Sequence, residues 1–241
     1  MPRAAVIEKG KQVEKMKRHT VQLVLAVAAL FMLGLHPAKT DQQETVIVAF
    51  GDSLTAGYGL PRYQSFPVQL QAALKARGAK VRVVNAGVSG DTANAGLKRL
   101  NWSLPPNADA VIVELGANDA LQGLPPEEAK RALAEIIEQL QAKDLKVLLT
   151  GMVAPRNMGK DYVEEFAAIY PDLAVRYDVI LYPFFLEGAA LNLGLMLPDG
   201  IHPNGKGVAK IVENMLPKVE ELLAQAESHS PPDGMAAHDT E

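Results

Sequence analysis

Five short runs rich in β-branched and aliphatic residues recur through the middle of this chain, most of them separated by stretches of helical periodicity. The runs are residues 45–50 (TVIVAF), 81–84 (VRVV), 110–115 (AVIVEL), 147–150 (VLLT) and 179–182 (VILY). Most are apolar at nearly every position, which fits strands covered on both faces. Residues 65–77 place Phe66, Leu70, Ala73 and Leu74 at helical spacing. Residues 126–142 open on Pro-Glu-Glu and carry Leu133, Ile136, Ile137 and Leu140 on one stripe. Residues 162–177 and 204–226 supply two more helices, which Pro171 and Pro217 are expected to bend or interrupt. Strands alternating with helices predict an α/β protein with a doubly wound, five-stranded parallel sheet. Such sheets bind ligands beyond the carboxyl ends of their strands, so the segments following each strand are where chemistry is expected.

The two ends of the chain read differently. Residues 1–19 hold Arg3, Lys9, Lys11, Lys15, Lys17 and Arg18 against Glu8 and Glu14, and an uncharged apolar run spans Leu23 to Leu35. Its 13 residues fall short of the roughly 20 that span a bilayer as a helix. They match the apolar core of a secretory signal behind a basic segment. His36 and Pro37 make the junction before Ala38 a poor cleavage site. Residues 1–40 are therefore expected to be a basic segment plus signal peptide, directing the protein to the periplasm or outside the cell. The alternative is an uncleaved inner-membrane anchor over residues 21–35. Residues 227–241 (ESHSPPDGMAAHDTE) lack periodicity and read as a disordered tail. One folded domain is expected over residues 44–226, without internal repeat or linker.

Composition excludes several classes of function. There is no cysteine, so no disulfide framework, thiolate metal site or cysteine nucleophile exists. Formal net charge is −4. Six of the 24 basic and two of the 28 acidic residues lie in the first nineteen positions, which leaves −8 from residue 20 onward. No nucleic-acid partner is expected from such a balance.

Four loops after strands carry the polar residues that matter. They are Gly51-Asp52-Ser53-Leu54, Ser89-Gly90-Asp91-Thr92, Gly116-Ala117-Asn118-Asp119 and Asp199-Gly200-Ile201-His202. Of five histidines, His19 and His36 fall in the export segment and His229 and His238 in the tail, which leaves His202 for the folded domain. An imidazole can take a serine hydroxyl proton and return it to a leaving group. Asp199, three residues earlier, could orient the ring. Ser53 suits either a nucleophile exposed at a strand end or a helix N-cap. The N–H groups of Ser53 and Gly90 and the Asn118 amide could form an oxyanion hole, although a turn glycine and a turn asparagine are the plainer readings of the latter two.

Taken together, Gly51-Asp52-Ser53-Leu54, Gly90, Asn118 and Asp199-x-x-His202 resemble the four ordered blocks of the GDSL, or SGNH, hydrolase superfamily. The finer text, including Val113-Glu114-Leu115-Gly116 and Ala168-Ile169-Tyr170-Pro171, is similar to the family's bacterial periplasmic thioesterase/lysophospholipase branch. One departure is Ala117, where that branch commonly has a second glycine. The resemblance implies a flavodoxin-like three-layer α/β/α sandwich and a serine esterase or thioesterase, without cofactor or metal. It assigns Ser53, Asp199 and His202 as a triad, and Ser53, Gly90 and Asn118 as oxyanion donors.

Substrate reading rests on apolar segments after the fourth and fifth strands. Met152, Val153, Pro155, Tyr162 and Phe166 are candidate walls of an acyl groove. The expected partner is a small-molecule acyl ester or thioester, with transient membrane contact through a lipid substrate or the uncleaved anchor, and a monomer as the working unit. Two rivals stand beside this reading: a carbohydrate O-deacetylase on the same blocks, and a non-catalytic lipid or nucleotide binder. Gly200-Ile-His-Pro-Asn-Gly205-Lys206 has P-loop spacing, but Gly207 replaces the required Ser or Thr. No Gly-x-Ser-x-Gly elbow is present. Asp52, Asp91 and Asp119 are read as loop braces rather than metal ligands.

Overall fold

The structure, a computed structural model, describes residues 44–228; the expected export segment (1–40) and the tail beyond residue 228 lie outside the described residues. Strand β1 (Thr45–Gly51) is buried at every position. It lies between β2 (Val81–Gly87) and β3 (Ala110–Glu114), with β4 (Lys146–Thr150) and β5 (Ile180–Tyr182) following outward from β3. Every neighbouring pair is parallel. The order β2-β1-β3-β4-β5 reverses between β1 and β3, and a crevice at such a switch point is the usual ligand site of this topology.

The helices are α1 (Ser53–Ala56), α2 (Phe66–Ala76), α3 (Ala93–Ser103), α4 (Ala117–Gln122), α5 (Pro126–Gln141), α6 (Lys160–Tyr177) and α7 (Gly205–Glu227). Helix α2 packs on α7, while α5 packs on both α3 and α6, which makes the two outer layers of an α/β/α sandwich. In α5, Pro126 stands at the start, Glu127 and Glu128 face the positive end of the helix dipole, and Leu133, Ile136, Ile137 and Leu140 are buried. Each such side chain contributes about 1.5–3 kcal/mol by leaving water. Among the described residues no helix is long and apolar enough to cross a membrane.

Three details differ from the sequence reading, each for a packing reason. Residues 93–103 form helix α3 although only Ala93, Gly96 and Leu100 are buried, a stripe too thin to register as periodicity. The Thr92 hydroxyl caps its start by accepting the Ala95 N–H, and α3 packs close enough that a Cβ on Gly96 would come within 2.5 Å of Leu115. Helices α6 and α7 run unbroken through Pro171 and Pro217. A proline inside a helix forfeits one backbone hydrogen bond, but buried stripes on both sides (Ile169, Tyr170 and Leu173 in α6; Met215, Leu216 and Val219 in α7) hold the helices together. Finally, β2 continues past residue 84 to Gly87, which pairs with Gly51.

That pairing brings the end of β2 against the turn after β1. A Cβ on Gly87 would lie 2.3 Å from the Ala56 nitrogen and 2.9 Å from the Asp52 carbonyl oxygen, both backbone atoms that cannot swing aside. Gly87→Ala should therefore cost about 1–3 kcal/mol of stability, as overpacking does, measured as a lowered urea midpoint with an unchanged denaturant slope. An unshifted midpoint would contradict this contact.

Candidate active site

Strand β1 ends at Gly51, where a Cβ would come within 2.6 Å of Thr55 Oγ1, Glu114 Oε2 and the Glu114 carbonyl oxygen. Only glycine lets the chain turn here against β3. Asp52 then caps α1, its Oδ1 accepting the Leu54 N–H at 2.9 Å. Ser53, the first helical residue, is left at the carboxyl end of the sheet beside the switch point.

Across the crevice, the chain between β5 and α7 is pinned as a tight loop. Asn204 caps α7 by accepting the Lys206 and Gly207 N–H groups, and its amide donates back to the Gly194 and Met196 carbonyls. Asp199 Oδ1 accepts the N–H groups of Ile201 and His202, both at 3.0 Å. Asp199 Oδ2 lies 2.8 Å from His202 Nδ1, and His202 Nε2 lies 3.0 Å from Ser53 Oγ. A carboxylate on Nδ1 holds the ring proton there and leaves the Nε2 lone pair to accept the serine hydroxyl. The Tyr58 ring lies against the imidazole, centroids 4.5 Å apart. The His202 backbone N–H first, and then its side chain, hold the Asp199 carboxyl down at about 2. Asp199 is accordingly an anion at neutral pH.

Asn118 enters from β3 through Gly116, which caps α4 with a positive φ of 113° that glycine adopts readily. Its amide gives one hydrogen to Asp52 Oδ2 and the other to the Asp91 carbonyl, each at 2.9 Å. Gly90 stands in the exposed turn before α3, outside the residues that line the cavity beside Ser53. Its φ of 90° suits glycine, and a Cβ there would meet nothing within 4 Å.

Two residues at this site escaped sequence reasoning. Arg99 binds Asp91 through Nε and donates to the carbonyls of Ala86 and Gly51, each at 2.9 Å, while its guanidinium lies 4.4 Å from the centre of the Phe50 ring. It thus ties the ends of β1 and β2 to the segment that anchors Asn118. On a helix with a thin apolar stripe, an arginine carries no sequence signal for such a role. Glu114 is the second: fully buried, its Oε2 accepts Thr55 Oγ at 2.7 Å and the N–H groups of Thr55 and Asp52. A lone carboxylate inside the run AVIVEL was the available signal.

A cavity of about 230 Å³ opens beside Ser53, His202 and Asn118. Met152, Val153 and Pro155 line it, together with Leu186, Leu191 and Met196. Tyr162 and Phe166 do not. Phe166 is fully buried against Tyr170, and the Tyr162 hydroxyl donates to the Leu124 carbonyl, so both serve the packing of α6. The exposed Leu121, Val153, Leu191 and Ile201 are lining residues as well, so the cavity's edge is aliphatic.

The sequence matches the GDSL-like lipase/acylhydrolase family over residues 49–210. It is 40% identical over 181 residues to the esterase TesA of Pseudomonas aeruginosa, covering 75% of this chain and 90% of that one. It is 38% identical over 195 residues to "thioesterase 1/protease 1/lysophospholipase L1" of Escherichia coli, covering 80% and 90%. Among solved structures it resembles AlinE4, an SGNH-hydrolase family esterase, with a TM-score of 0.64 and 47% identity over 75% of this chain and 97% of that one.

Burial pushes the Asp52 carboxyl up to about 6. Folded Asp52 therefore keeps its proton over a range where the unfolded chain has lost it. Its linkage favours folding at low pH and withdraws that support as pH rises from about 4 to about 6, opposite in sign to Asp199. In urea unfolding across this range, Asp52→Asn should gain stability relative to the parent as pH rises. A difference that stays flat with pH would contradict the assignment.

Proposed function

Because the chain belongs to the GDSL-like lipase/acylhydrolase family, we propose that it hydrolyses acyl esters and thioesters through Ser53, His202 and Asp199 and an acyl-enzyme intermediate. The observation that carries this reading is the unbroken hydrogen-bonded line from Asp199 through His202 to Ser53 Oγ beside an apolar cavity. His202 Nε2 takes the hydroxyl proton as Ser53 Oγ attacks the carbonyl carbon. The proton then passes to the leaving alcohol or thiol, and the acyl group stays on Ser53. Water attacks that ester with His202 again as base, which releases the acid and restores the serine. Asp199 steadies the imidazolium in both halves.

The proposed oxyanion donors are the Ser53 N–H, the Gly90 N–H and the Asn118 amide. Ser53 and Asn118 both line the cavity; for Gly90 the support is its sequence block. Both Asn118 hydrogens are already engaged, so donation to an oxyanion means sharing one of them with Asp52 or the Asp91 carbonyl. Such sharing is worth most once negative charge has formed, which favours the transition state over the bound ester.

The proposed substrates are fatty acyl esters and thioesters, including lysophospholipids and aryl esters. Ligand pockets commonly span about 300–1,000 Å³, so this cavity encloses a short acyl chain. A longer chain runs out over Leu191 and Leu121. An aliphatic edge also suits transient contact with a lipid surface as substrate is drawn from it. Trp102 is the single tryptophan; it lies on α3, outside the cavity lining, which leaves no tryptophan beside Ser53 for a sugar to stack on. Action in the periplasm or outside the cell is proposed from the basic and apolar pattern of residues 1–35, and a monomer is proposed as the working unit.

Ser53→Ala should lower turnover of a p-nitrophenyl ester by about 10⁶ and abolish fluorophosphonate labelling, whereas Asn118→Ala should cost about 10²–10³, mainly in kcat. Undiminished hydrolysis by Ser53→Ala would overturn the proposal. In an acyl-chain series, kcat/KM should rise by up to about fourfold per added methylene, the rate equivalent of about 0.8 kcal/mol. It should level off once the cavity is filled. Preference for acetylated sugars over every fatty acyl ester would point to a carbohydrate deacetylase instead.

A further inference from the structure

Glu114 is a charged residue type at the end of a central strand, and the hydrolytic steps do not use it. Its two oxygens have opposite surroundings. Oε2 accepts from Thr55 Oγ at 2.7 Å, from the Thr55 N–H at 3.2 Å and from the Asp52 N–H at 3.3 Å, donors that bracket Ser53 on both sides. Oε1 is buried and has no hydrogen-bond partner among the described residues. A buried anionic oxygen with no protein donor is costly, whereas an O–H at the same place is neutral.

The neighbouring Asp52 is also fully buried, and its oxygens are engaged as an anion's would be. Oδ1 takes the Leu54 N–H, and Oδ2 takes one hydrogen of the Asn118 amide. Two neighbouring buried carboxyls repel each other when both are charged, so one proton stays with the pair. Asp52 has donors for a negative charge on both oxygens; Glu114 has them on one. The proton therefore belongs on Glu114.

We propose that Glu114 is a positioning residue that works as a neutral carboxylic acid, one oxygen gathering the donors of the Ser53 turn while the proton on the other keeps Asp52 ionised and gripping the Asn118 amide. The inference rests on the functional reading above. Burial first, and then the Asp52 charge, hold the Glu114 carboxyl well above the usual carboxylate range. Hydrogen bonding by Glu114 is in turn among the influences that lower Asp52. Glu114 would thus act on the oxyanion site at one remove: through Asp52 to Asn118, and through Thr55 to the backbone that presents Ser53.

The test compares the parent with Glu114→Gln and Glu114→Leu on an aryl ester, and records their infrared spectra at pH 8. Gln keeps an acceptor oxygen and a neutral donor, so Glu114→Gln should hold kcat within about fivefold, while Glu114→Leu should lose about 100-fold or more in kcat with KM little changed. The parent should show a protonated-carboxyl C=O band that is missing from Glu114→Gln, a readout that packing alone would not produce. Absence of that band in the parent, or a Gln variant as damaged as the Leu variant, would overturn the inference. Should Ser53→Ala leave hydrolysis intact, the functional reading fails; the infrared comparison still decides the protonation state of Glu114, so the two failures can be told apart.

Discussion

Strand β1 lies in the interior of the sheet, hydrogen-bonded to β2 on one side and β3 on the other, and it stops at a residue with no room for a methyl group. What surrounds Ser53 depends on that stop. Because Gly51 can approach Thr55 and Glu114 so closely, the chain turns within one residue into α1, and Asp52 closes the turn by capping it. Because β1 and β3 flank the reversal in strand order, the loop that carries Asn118 emerges beside the turn that carries Ser53. His202 completes the group from a loop that Asn204 staples to α7. Only short, well-capped segments could hold a 3.0 Å contact between residues 149 positions apart.

The polar groups beneath Ser53 form a connected set. Arg99 joins the ends of β1 and β2 to Asp91; the Asp91 carbonyl and the Asp52 carboxylate hold Asn118; Asp52 and Glu114 divide the donors of the α1 turn. Burying so many polar atoms is tolerable only where partners are supplied. Here most of them come from the ends of three strands at once, which leaves the Asn118 amide little freedom. In the proposed mechanism, such pre-arrangement would let a neutral amide serve a passing negative charge with little reorganisation.

The strands were legible because burial on both faces leaves apolar runs, and α5 was legible because its stripe is wide. Helix α3 was not, since its hold comes from a Thr92 cap and from Gly96 lying against Leu115, neither of which has a period. Pro171 and Pro217 read as bends or breaks because local propensity is all a sequence window offers; burial on both sides of each proline keeps either helix from breaking. At the site, elimination among five histidines left His202, and the spacing to Asp199 suggested their contact. Tyr162 and Phe166 read as groove walls in the sequence because they follow β4 on an apolar face; in the structure that face packs inward.

By itself, then, the sequence determined the alternation of strands and helices, the exclusion of any cysteine nucleophile, and the four loops in which polar residues follow strands. Those are local properties, set by composition, by side-chain periodicity and by residues a few positions apart. Only the tertiary structure decided which apolar residues wall the cavity, that Arg99 and Glu114 bond to the strand ends and the turn around Ser53, and that both hydrogens of Asn118 are engaged. These depend on contacts between strand ends far apart in the chain, where geometry is set by sheet order and close packing rather than by any pattern within one segment.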